Sequence, residues 1–150
     1  MNAILEDLWP CDLAQERLHT PASILKAQAA KLGQKTRNLV EGRVETLSRE
    51  GRIYQSFILV APALDNYSYN LFRISHPITM YPIRVEHEPE TEEQPDEEFF
   101  DNIFMRSREK QWKTLESEEA FVSWLRSVLG SRHTKRVVDA LVSQSSDYEF

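Results

Sequence analysis

The segment Ile53 to Ala61 is apolar almost throughout, and it is closed by Arg49-Glu50-Gly51 before it and Asp65-Asn66 after it. A run this short and this apolar reads as a strand buried on both faces, and such a strand needs neighbours to satisfy its backbone. The flanking residues suit reversals of the chain, since Gly, Asp and Asn tolerate turn geometry. A sheet built around this segment is therefore the first expectation.

The neighbours are legible on each side. After Asn38, Val40, Gly42, Val44 and Thr46 alternate with Glu41, Arg43 and Glu45, the pattern of a strand with one face in water. Tyr69 to His76 reads as a third strand and Met80 to His87 as a fourth. In the fourth, Tyr81, Ile83 and Val85 oppose Pro82, Arg84 and Glu86. Pro82 has no N–H to give to a ladder, which predicts an edge position for that strand. Short connections favour an antiparallel meander.

Helical periodicity appears at both ends. Thr20-Pro21 is a helix start, with a capping hydroxyl and a proline at the first helical position. Ile24, Leu25, Gln28, Ala29 and Leu32 then share a face, and Gly33 is the expected terminator. Before it, Ile4, Leu5 and Leu8 suggest a short helix ending ahead of Pro10. Late in the chain, Phe99, Phe100, Ile103 and Phe104 suggest another short helix. Ser117-Glu118-Glu119 opens a stronger one, with Phe121, Trp124, Leu125, Val128 and Leu129 as its apolar face and Gly130 as its end. A last helix from Ser131 or Thr134 to Ser143 buries Val137, Val138, Leu141 and Val142. The order predicts one α+β domain over residues 1–150: a four-stranded antiparallel meander packed by an N-terminal helix and two to three C-terminal helices.

The charge of −6 is unevenly placed, because Glu86, Glu88, Glu90, Glu92, Glu93, Asp96, Glu97 and Glu98 lie within thirteen residues and the rest is close to neutral. The stretch at about 88–98 holds two prolines and no apolar anchor, so it reads as a mobile acidic loop. The longest apolar stretch, Phe57 to Leu64, is broken by Pro62 and too short for a membrane span. The first residues have no basic region, which predicts no secretory leader. Cys11 is the only cysteine, which excludes an internal disulfide; the expected address is the cytoplasm.

The common catalytic constellations are missing from the sequence. The four glycines are isolated, so there is no dinucleotide fingerprint or Walker-type loop, and no Gly-x-Ser-x-Gly occurs. His19, His76, His87 and His133 stand singly, without the spacing of a metal site. The reading is no catalytic residue, no metal and no cofactor. Cys11 lies between Pro10 and Asp12, where a carboxylate disfavours the thiolate.

Three surfaces carry binding potential. The tyrosine turn presents Tyr67 and Tyr69, large side chains that lose little entropy on contact. The acidic stretch offers Glu90, Glu92, Glu93 and Asp96 to a basic partner. The basic stretch Arg106, Arg108, Lys110 and Lys113 around Trp112 reads as a solvated helical face with Trp112 turned inward; its alternative use is nucleic-acid binding. The sequence thus points to a non-catalytic protein-binding module of adaptor, inhibitor or immunity type. The alternatives are nucleic-acid binding through 106–113 and an enzyme with a composite site near His76 and His87, with Asp65 joining them. A homodimer through the first strand or a C-terminal helix is a further expectation.

Overall fold

The computed structural model describes residues 5–87 and 111–148. Helix α1 spans Pro21–Lys35, followed by strands β1 Glu41–Arg49 and β2 Arg52–Ala61. A single 3-10 turn at Pro62–Leu64 leads to β3 Tyr67–His76 and β4 Ile83–His87. Strand β5 Gln111–Leu115 and helices α2 Glu118–Leu129 and α3 Arg132–Ser146 complete the order. The strands form one antiparallel sheet in the order β1-β2-β3-β4-β5, a meander throughout.

The expected α+β class and its antiparallel sheet between one N-terminal and two C-terminal helices are what the chain adopts. The sheet has five strands where four were expected. The extra one, β5, takes up Trp112 and Lys113, which the sequence placed on a helical face. Strand β4 consequently lies between β3 and β5 and is not an edge. Pro82 is compatible with this because it precedes the strand, in a cis Tyr81–Pro82 peptide, and takes no part in the ladder.

Local chemistry explains most boundaries. The Thr20 hydroxyl accepts from the Ser23 backbone N–H while the Ser23 hydroxyl accepts from the Thr20 N–H, a reciprocal cap on α1. The helix runs two residues past Gly33 and ends where Arg37 and Asn38 turn left-handed at φ 53° and 64°. Asn accepts that conformation, so glycine is not needed as the stop. Ser117 caps α2 by accepting from the Ala120 N–H, and Ser131 caps α3 by accepting from the Thr134 N–H. Glu50 and Gly51, at φ 51° and 75°, make the two-residue reversal between β1 and β2, a type that requires positive φ at both positions.

The segment around Leu5 and Leu8 is not an α-helix; both side chains are exposed, and no apolar surface receives them. A helix that short has nothing to repay its nucleation. The acidic stretch at 88–98 and the helix expected over Phe99, Phe100, Ile103 and Phe104 lie outside the described residues.

The core lies on one side of the sheet. Phe57 stacks on Phe72 at 5.3 Å between ring centroids, and Trp124 of α2 meets Phe72 edge-on at 5.1 Å. Leu25 and Ala29 of α1, Phe121 of α2 and Leu141 of α3 join the same cluster. Among the described residues, no helix is long and apolar enough to cross a membrane.

Candidate functional site: the helix-free face of the sheet

Strand parity and register assign each side chain to a face. Gly42, Val44, Phe57, Leu59, Phe72, Ile74, Ile83, Val85 and Leu115 share the face that the helices cover. The opposite face carries Arg43, Glu45 and Leu47 on β1, Arg52, Tyr54, Ser56, Ile58 and the buried Val60 on β2, Arg73 and Ser75 on β3, and Arg84 and Glu86 on β4. Antiparallel sheets commonly leave one face to solvent in this way. Arg43, Glu45, Leu47, Arg73, Arg84 and Thr114 are exposed there, and none of the three helices packs on this side among the described residues.

The arginines in the middle of this face are organised. Register sets Tyr54 opposite Ser75 and Ser75 opposite Arg84, with Ser56 opposite Arg73 in the adjoining row. The Arg52 guanidinium donates to the Ser75 hydroxyl from Nε at 3.3 Å and Nη2 at 3.2 Å. Arg73 donates to the Ser56 hydroxyl at 3.4 Å, and its Cζ lies 5.6 Å from the centroid of the Tyr54 ring. Ser56 and Ser75 are buried beneath these side chains. A serine hydroxyl orients a guanidinium without neutralising it. Among the described residues, the ion pairs His19–Glu118 and Lys135–Asp139 lie away from this face. Each guanidinium has five N–H donors, more than the serines take, in the planar fork that fits a carboxylate or phosphate.

The sequence-derived sites fare unevenly. Tyr67 is 51% exposed at the start of β3. Tyr69 is half-buried and its hydroxyl pairs with His133 Nε2 of α3 at 2.9 Å, so it fastens a helix to the sheet. Glu90, Glu92, Glu93, Asp96, Arg106, Arg108 and Lys110 lie outside the described residues. Trp112 and Lys113 occupy consecutive positions of β5, paired with Glu86 and Val85.

The composite site is not assembled. Asp65 precedes β3 and His76 ends it, which separates them by about 30 Å of extended chain. The register of β3 with β4 sets His76 and His87 four residues apart along the ladder, about 13 Å. His76 is buried, and its Nδ1 lies 2.8 Å from the Pro77 carbonyl oxygen. Its Nε2 is buried and has no hydrogen-bond partner among the described residues. Among the described residues, no group of three or more His, Cys, Asp or Glu side chains is arranged to hold a metal ion.

Sequence reasoning missed Arg52, Tyr54, Arg73 and Arg84 as a group. Their signal was present as alternation: Arg52, Tyr54 and Ser56 skip one residue each, as do Arg73 and Ser75. The apolar character of the second strand hid it. Comparison with known protein families, with characterised proteins and with solved structures found no match to this chain.

Proposed function

We propose that the protein is a non-catalytic protein-binding module that receives an acidic segment of its partner on the helix-free face of the sheet. The observation that carries this reading is that Arg52 and Arg73 are held by serine hydroxyls, Arg73 also beside the Tyr54 ring, with no carboxylate partner among the described residues. Arginine and tyrosine are the residue types that most often dominate binding energy at protein interfaces. Holding their side chains in place beforehand reduces the entropy lost on association. The partner's carboxylates would take the donors that face outward, as paired forks.

Nucleic-acid binding on the same face is the second reading, favoured by the stacking surface of Tyr54 beside cationic guanidiniums. Affinity capture from the native host, with and without nuclease, separates the two when the wild type is run beside an Arg73→Ala/Arg84→Ala variant. The proposal expects a stoichiometric protein that survives nuclease and is lost from the variant. Recovery that depends on intact nucleic acid would overturn it in favour of the second reading. A partner retained in full by the variant would place binding elsewhere on the molecule.

A further inference from the structure

Strand β1 is an edge of the sheet, paired with β2 along all nine residues without a bulge. It contains no proline. Natural edges are usually protected by proline, bulges or short length, and this one has none of those devices. Among the described residues its protection is charge, and the charge is arranged in a specific order.

The hairpin turn fixes which backbone groups face outward. In a two-residue reversal the flanking residues, here Arg49 and Arg52, form the closing hydrogen-bonded pair. The N–H and C=O groups of odd-numbered residues of β1 therefore point to β2. Those of Gly42, Val44, Thr46 and Ser48 point away from the sheet.

We propose that the chain forms a symmetric homodimer by antiparallel pairing of β1 with β1 of a second copy, in the register that sets Val44 against Val44 of the partner subunit. A two-fold axis allows only registers that place some residue opposite itself. Centring on Arg43 or on Glu45 opposes like charges. Centring on Thr46 opposes Arg43 to Arg49 of the partner subunit, while centring on Leu47 or on Gly42 pairs fewer residues of the strand than centring on Val44. Centring on Val44 sets Arg43 against Glu45 of the partner subunit and Glu45 against Arg43 of the partner subunit. Both fall at non-hydrogen-bonded positions, where opposing side chains approach most closely. Gly42 then exchanges backbone bonds with Thr46 of the partner subunit and Val44 with Val44 of the partner subunit, and both copies keep the same face toward their helices.

The helix side of this edge is open. A groove of about 390 Å³ runs between α1 and β1, lined in part by Ala29, Ala30, Gly33, Gly42 and Val44. These short side chains leave room beside the edge for a second strand. Val44 is half-buried in the monomer and would be covered at the dyad. The proposal is independent of the binding function above, because it uses the outer edge and not the Arg73–Arg84 region. The dimer would join two helix-free faces into one continuous surface.

The test is sedimentation equilibrium of the full chain over a concentration series, with a thermal melt of each variant as a check of folding. Wild type is expected to dimerise, and Arg43→Glu and Glu45→Arg alone are each expected to weaken the dimer about tenfold or more. The Arg43→Glu/Glu45→Arg double variant restores opposite charges at both contacts and is expected to dimerise again. Mixing the two single variants also makes both contacts complementary, so a heterodimer is expected from two weakly associating parents. A wild type that stays monomeric to about 100 μM would overturn the proposal. So would a dimer indifferent to both single substitutions, or single variants that fail to associate on mixing.

Discussion

Two residues show how closely local geometry is determined. A Cβ on Gly42 would lie 2.7 Å from both Cα and Cβ of Ala29, so glycine here sets the distance at which α1 packs on β1. Gly42→Ala is expected to lower stability by about 1–3 kcal/mol, read from urea unfolding, because helix backbone and not a flexible side chain must give way. Tyr81 holds its hydroxyl buried without a hydrogen-bond partner among the described residues. Burial pushes its pKa above the usual 10.0, with the charges of Glu118 and Glu119 adding to the rise. Below that value both folded and unfolded chains carry the neutral phenol, and stability is complete. As pH rises through it, the unfolded chain loses the proton first, so stability falls until the folded pKa is passed. Tyr81→Phe is therefore expected to flatten the alkaline limb of the unfolding free energy as pH rises above about 10, while costing little at neutral pH. Coincident limbs for the two proteins would mean that the hydroxyl is not held as described.

At the scale of elements, helix starts follow directly from side-chain chemistry. Thr20→Ala removes the hydroxyl half of a reciprocal cap and is expected to cost about 1 kcal/mol in global stability, measured by thermal or denaturant unfolding. The same chemistry made α1, α2 and α3 legible in the sequence, because Thr20, Ser117 and Ser131 are local signals. The reversals at Glu50-Gly51 and at Asp65-Asn66 were legible for the same reason, and each pair takes positive φ. Strand β5 was not legible. Trp112, Lys113 and Thr114 carry no decisive period of their own, and what makes them a strand is the exposed ladder of β4. Pairing partners distant in sequence leave little trace in a five-residue run. The end of α1 was misplaced because Gly33 is the obvious stop, whereas its neighbour Asn38 supplies the left-handed turn. The candidate site was legible only as an alternation of Arg, Tyr and Ser. Which of those residues lie side by side depends on register, and register depends on all the strands together.

For the molecule as a whole, the decisive property is that the helices gather on one face of a meander. Phe57 is the centre of that arrangement, stacked on Phe72 and 1% exposed. Phe57→Ala is expected to cost about 3–5 kcal/mol, since neither the sheet nor α1 can close around the lost ring. A loss below about 1 kcal/mol in a denaturant titration would contradict the one-sided core. The other face then stands as a platform on which Arg52 and Arg73 are oriented by serine hydroxyls and Arg84 is exposed, with no carboxylate paired to them among the described residues. The most direct measurement of its role is an NMR titration that follows the arginine side-chain Nε–H signals while the captured partner protein is added. Shifts centred on Arg52, Arg73 and Arg84, with the signals of Arg126 on α2 and Arg136 on α3 unmoved, are the predicted result. Shifts at Arg126 and Arg136 with the sheet arginines silent would contradict the account and move the binding surface to the helices.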